Sequence, residues 1–360
     1  MLNRTSLLVC LVLFANIFAI GQRPFFVVET ARKGNDLHFP ILKEQSGQYV
    51  EIRINQFLQL SELRGLVDPR RRHVFDQAII NDGSIYGGKV SLSYSVYANN
   101  PRILSIEINN SMDGATTHWW TSYYNFNSQN GDRMSLSDLF TDRGYKDFTS
   151  MVARKRSKAY RSEVARKVRP EEKEVFLNLL QYIENDDLSD FSIGKRSIII
   201  DGNNLLGKSF CCENVDMEVR FDLQEFSRYL NGYGKIAFGL RKGNIGKFRS
   251  NQLPQLFSGT VDGRVSFVMV LNSIGGGQIE GFYAYLKYRT GIYLTGSIDD
   301  QKIELAEKVL TETEMHYQTD SNHRWVDGGS ITGIFDGSTL SGAWTDEAKQ
   351  RSLTLLAARD

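Results

Sequence analysis

The chain has 360 residues, 41% of them apolar and 24% charged, which is enough to build packed cores and longer than one core usually organises, so two domains are the expectation. Lys and Arg total 43 against 42 Asp and Glu, and a nucleic-acid binder would carry a basic excess, so that partner class is excluded. After Ile20 no apolar stretch is long enough to span a bilayer as a helix.

Met1 to Arg4 carries one positive charge, and Ser6 to Ile20 is an apolar run interrupted only by Asn16. The run is short for a membrane span. Ala19-Ile20-Gly21 puts small residues just ahead of Gln22, so residues 1–21 read as a signal peptide of a periplasmic or extracellular protein, whose mature part is expected to be soluble. Cys10 lies inside the apolar run behind Val9, which does not fit a lipoprotein site. Loss of this segment removes Arg4 and leaves a net charge near zero, with Cys211-Cys212 as the remaining cysteines. Neighbouring cysteines rarely bridge because the ring is strained, so free thiols on a strand are expected, with the redox state left open.

Phe25 to Glu29 reads as a strand, followed by an extended segment to Phe39-Pro40-Ile41. Ile52, Ile54, Phe57, Leu58, Leu60 and Leu63 fit a helical face, ended by Asp68-Pro69. Val90, Leu92, Tyr94 and Val96 alternate, as do the residues of 103–108, with Asn99-Asn100-Pro101 between them: two strands and a turn. Trp119 to Phe126 continues the sheet. Helices are expected over Tyr145–Val168 and Pro170–Ile183, the second opening with Pro170 and Glu171-Glu172. Strands are expected over 191–200, 204–210 and 215–221, and a short helix over 223–230.

The strings Val90-Ser91-Leu92-Ser93-Tyr94-Ser95-Val96-Tyr97, Ile103-Leu104-Ser105-Ile106, Tyr124-Asn125-Phe126-Asn127 with Gly131, Leu136-Ser137-Asp138-Leu139-Phe140 and Phe221-Asp222-Leu223 occur in an order that resembles one module. It is similar to the extracytoplasmic domain of RsiV anti-sigma factors, also found at the front of PdaC-type peptidoglycan deacetylases, and covers about residues 36 to 240. The resemblance implies an α+β fold with an antiparallel sheet and helices, a place outside the cytoplasm, and recognition of lysozyme or of cell-wall glycan. Many members carry Gly-Gly-Ala-His between the second and third strands, where this chain has Asp113-Gly114-Ala115-Thr116-Thr117-His118. No role passes to His118 from so loose a match.

Lys242 to Pro254 is rich in Gly, Asn and Lys and has linker composition, dividing an α+β domain over 22–241 from a small all-β domain over 256–360, with 242–255 between. Turns at Asp262-Gly263, Gly275-Gly276-Gly277, Arg289-Thr290-Gly291, Asp299-Asp300 and Asp336-Gly337 separate eight or nine short strands, an up-and-down barrel or sandwich whose closure would remove exposed edges. Phe282, Ala284 and Leu286 share one face and Tyr283, Tyr285 and Lys287 the other. This part resembles a lipocalin-like or avidin-like β-barrel domain of secreted bacterial proteins, as a fold analogy.

No GxSxG, HExxH, EF-hand or phosphate-loop pattern is present, the five histidines are scattered, and no cofactor or metal is expected. The basic run Arg154 to Arg169 reads as a solvated helix face, or as a surface turned to wall polymers or lipid headgroups. His118, Trp119, Trp120 and Tyr123 are candidate contacts for a protein or a sugar, with Trp119 and Trp120 on opposite faces of their strand. Tyr283, Tyr285 and Trp344 line a barrel mouth or fill a closed interior, the latter favoured because eight-stranded barrels are barely wide enough for side chains. The leading expectation is a noncatalytic binder of lysozyme-type muramidase or peptidoglycan. A small-ligand carrier and a hydrolase with a dispersed site are the alternatives.

Overall fold

The computed structural model describes residues 24–43, 49–67, 73–76, 89–112, 117–181, 188–202, 218–250, 252–310, 325–348 and 350–359. The signal segment, the Asp68-Pro69 break, Asp113 to Thr116, the strand expected over 204–210, Cys211-Cys212, His316 and His323 lie outside them.

β1 (Val28–Lys33) and β2 (Leu37–Leu42) form a hairpin. The first strand starts later than Phe25 because Phe26 is drawn inward, 1% exposed, with its N–H donating to the Asn99 side chain at 2.8 Å. Helix α1 (Val50–Leu58) follows, and its end widens into a π-helical turn at Gln59–Leu63. β3 (Lys89–Asn99), β4 (Ile103–Met112) and β5 (His118–Asn127) complete a five-stranded sheet in chain order, with β5 at one edge. The sheet is mixed where an antiparallel one was expected: β2 runs parallel to β3, a pairing that needs a crossover, and α1 lies in that connection.

The alternation of β3 to β5 gives the sheet two unlike faces. Leu92, Ile106, Ile108, Tyr124 and Phe126 pack on Ile54, Phe57 and Leu58 of α1. The other face carries Ser93, Ser95, Glu107, Asn109 and Thr121. Its Asn125 end is covered by a second layer: α2 (Asp142–Lys167), α3 (Lys173–Leu177), a three-stranded sheet of β6 (Phe191–Ile193), β7 (Ser197–Ile200) and β8 (Val219–Asp222), and the short helices α4 (Leu223–Phe226) and α5 (Gly232–Ala237). Thr141 caps α2, its hydroxyl accepting from Gly144 N at 3.0 Å. Phe148, Val152, Arg156, Tyr160 and Val164 form the buried stripe of α2, while Arg154, Lys158 and Arg161 are exposed. Where a long helix was expected over Pro170–Ile183, the chain forms a 3₁₀ turn, Pro170–Glu172, the five-residue α3, a turn at Asn178-Leu179 and helix again at Leu180-Gln181, with residues 182 and 183 outside the described ones. Phe176 and Leu180 are the buried anchors of this stretch, against Tyr160 and Val164.

β9 (Gln255–Val261), β10 (Val265–Gly275), β11 (Gln278–Tyr285), β12 (Ile292–Asp299), β13 (Lys302–Leu310), β14 (Trp325–Phe335), β15 (Thr339–Thr345) and β16 (Ser352–Ala358) form a closed antiparallel barrel, each paired with its chain neighbour and β16 with β9. Phe257, Phe267, Met269, Leu271, Ile303, Leu305, Ile331, Leu340 and Leu355 make its core. The outward Val268, Val270 and Ala284 are buried too, because they pack with Phe57, Leu60 and Leu63 in the core of the first part.

Two polar seams reinforce that shared core. Leu66 N donates to Arg289 O at 2.8 Å and Gly291 N to Arg64 O at 3.1 Å, so the turn after β11 pairs with the chain leaving the π turn. Gly291 is needed there, since a Cβ would stand 2.3 Å from Arg64 O. On the other side the buried Asp132 carboxylate takes Arg53 of α1 at 3.3 Å, Arg249 at 3.1 Å and Arg359 beyond β16 at 2.8 Å. Among the described residues no helix is long and apolar enough to cross a membrane.

Candidate functional site

The edge of β5 does not meet the barrel wall flush. Between them lies a cleft of about 650 Å³, lined from the first part by Phe57, Ser61, Arg64, Thr121, Ser122, Tyr123, Tyr124, Arg133 and Asp190, and from the barrel by Val270, Asn272, Glu280, Phe282 and Tyr293. Residues of both parities of β5 take part, so the cleft wraps its edge. The volume is that of a site for a drug-sized ligand.

Its walls are aromatic and its charges are guanidinium and carboxylate. Arg64 follows the π turn in a left-handed conformation, φ 53°, which turns the chain toward the barrel and sets its guanidinium 5.4 Å from the centre of the Phe282 ring. Phe282 lies 5.0 Å from Tyr293, whose hydroxyl donates to Glu280 at 3.2 Å. Arg133 sits opposite, 5.3 Å from the Tyr124 ring, and donates to the Tyr123 and Met134 carbonyls. Among the described residues its Nε has no acceptor and no carboxylate pairs with it. Loss of water around the guanidinium lowers its pKa to about 10, with the charge retained at neutral pH. The cleft therefore sets a guanidinium that no carboxylate pairs with, among the described residues, beside a tilted pair of aromatic rings.

Behind the cleft, Glu62 is buried and takes Tyr124 Oη at 2.6 Å and Lys89 Nζ at 3.2 Å. Burial pushes its carboxyl up, but the Lys89 ammonium and the Tyr124 and Ser122 hydroxyls outweigh burial and hold it below the usual glutamate value. Glu62 pushes the Tyr124 hydroxyl well above its ordinary range, with burial as the larger cause, so Tyr124 stays a neutral donor.

The four β5 candidates separate. Trp119 is 69% exposed on the polar face of the sheet. Trp120 points to the other face, partly buried, its ring 5.8 Å from His118 and 5.6 Å from Lys89 Nζ. Tyr123 is buried and donates to Asp201, which together with desolvation raises its hydroxyl. It also lines the cleft.

The barrel candidates converge. Tyr283 and Tyr285 point inward, their hydroxyls 3.3 Å apart, and Tyr283 donates to Glu307 Oε1, which also takes Trp344 Nε1 at 2.6 Å. Gly329 N donates to Glu307 Oε2 at 2.9 Å. Tyr283 and Trp344 are thus committed to one buried carboxylate, 4% exposed, and Tyr285 joins them through the Tyr283 hydroxyl. Residue type does not single out Glu307, but register does: Ile303, Leu305 and Glu307 share the inward parity of β13. Arg64 and Arg133 carry no sequence signal, since they reach the cleft from the end of a helix and from a turn.

No family model matches the chain, and no curated protein matches it.

Proposed function

We propose that this is a noncatalytic binding protein of the cell envelope, exported by its N-terminal segment, whose first part is an RsiV-like module and whose cleft holds a peptide-bearing segment of wall glycan. The observation that carries the reading is the placement across one cleft of the Arg133 guanidinium, which no carboxylate pairs with among the described residues, and the row of Arg64, Phe282 and Tyr293. Aromatic faces suit the C–H faces of sugar rings, and guanidinium forks suit the carboxylates of lactyl and peptide groups. Glu280, held by Tyr293 and by Asn272 at 3.4 Å, supplies acceptors for hydroxyls or amides.

Recognition of a lysozyme-type muramidase by the same module is a second reading, favoured by the exposed Trp119 at the sheet edge. Co-sedimentation of the mature protein with purified sacculi separates the two. Retention that is lost in Arg133→Gln, with no soluble sugar released, supports glycan binding. Absence of retention together with capture by immobilised lysozyme, abolished in Trp119→Ala, supports the second reading and removes the first.

A further inference from the structure

A second concavity, about 750 Å³, opens where the β3–β4 turn meets the segment after α5, and it shares no lining residue with the cleft. Its charged lining residues are Arg102, Arg241 and Lys242, brought together from distant parts of the chain, and no carboxylate lines it. Among the described residues none of the three forms an ion pair. Pro101, Ile236 and Leu240, the last 48% exposed, give it an apolar side.

Arg102 is held in place. Its backbone N–H donates to Asn100 Oδ1 at 3.0 Å and its Nε to Ala237 O, at the end of α5, at 3.0 Å. Its guanidinium then passes over Gly239, φ 72°, where a Cβ would lie 3.0 Å from Nη2. The turn is braced further by Gln129, whose Nε2 donates to Pro101 O at 2.8 Å. A guanidinium fixed by one nitrogen keeps its two terminal nitrogens for an incoming anion, and two more cations face the same space.

We propose that this concavity binds a phosphoryl group carried on a small aliphatic alcohol, as a free phosphoester or as a phospholipid headgroup. The fork of Arg102 matches paired phosphate oxygens, Arg241 and Lys242 balance the charge, and Pro101, Ile236 and Leu240 meet the aliphatic part.

Amide shifts of the full mature protein titrated with glycerol 3-phosphate, with uncharged glycerol as control, test the site. The phosphoester is expected to shift Gly239 and Gly243 saturably, glycerol to leave them unmoved, and added salt to weaken the binding. Arg102→Ala and the surface double variant Arg241→Gln/Lys242→Gln should each raise the dissociation constant by roughly tenfold or more, as loss of charge-assisted hydrogen bonds requires. The double variant keeps the test independent of the turn that Arg102 anchors. Co-sedimentation with phosphatidylglycerol vesicles, lost in the same variants, assigns the headgroup as the source; its absence beside a saturable titration assigns the free phosphoester. Unsaturable shifts, or variants that titrate like the parent, overturn the proposal.

Discussion

A carboxylate inside a β-barrel is tolerable only where donors replace its water, and Glu307 is met by Tyr283, Trp344 and the Gly329 amide on its two oxygens. All three partners donate, so an amide in its place must turn an N–H toward one of them. Glu307→Gln is therefore expected to destabilise the protein by about 1–3 kcal/mol, read as a lowered denaturation midpoint, although it is nearly isosteric. An unchanged midpoint would show that the donors find other partners. Glu62 gives a second, pH-dependent case. Its folded pKa lies below its usual value of 4.5, so it contributes stability above about pH 4.5 that is lost as pH falls through the lowered folded value. Stability measured across that acidic window should fall more steeply in the wild type than in Glu62→Gln; parallel profiles would exclude Glu62 as a source of the dependence.

At the scale of elements, legibility followed periodicity. The α1 face, the β3 and β4 alternation and the barrel's turn-punctuated strands all stand in the sequence because one face of each is apolar and the other is not. The same alternation separates Trp119 from Trp120 and directs Tyr283 and Tyr285 inward. Elsewhere tertiary contacts decide. The helical stretch after Pro170 is interrupted by a turn at Asn178-Leu179 where its pattern reads as continuous, and the segment beyond Lys242, linker-like in composition, is tied down by Asn127 Nδ2 donating to Ile245 O at 2.8 Å and by stacking of Phe248 on Tyr233 at 3.6 Å. β10 holds the clearest unused signal. Phe267 to Leu271 is apolar at both parities, which marks a strand buried on both faces, one toward the barrel interior and one toward α1. That double burial joins the barrel to the first part.

For the molecule as a whole, the joint makes the cleft. The Val268–Val270–Ala284 wall seats against Phe57 and Leu60, the Asp132 knot ties α1 to the chain end, and the space left beside the edge of β5 receives Arg64 and Arg133 from one side and Phe282 and Tyr293 from the other. A ligand there would touch both halves, so neither half alone should bind it well. The aromatic and cationic residues of the cleft could not be grouped from the sequence because their convergence depends on this joint. Calorimetric titration of the mature protein with a disaccharide-peptide fragment of peptidoglycan tests the account most directly. It predicts one saturable site per chain, weakened by about tenfold or more in Arg64→Gln on one wall and in Phe282→Ala on the other, in line with the loss of a charge-assisted contact or a stacked ring. No saturable binding, or binding that both variants leave unchanged, would contradict it.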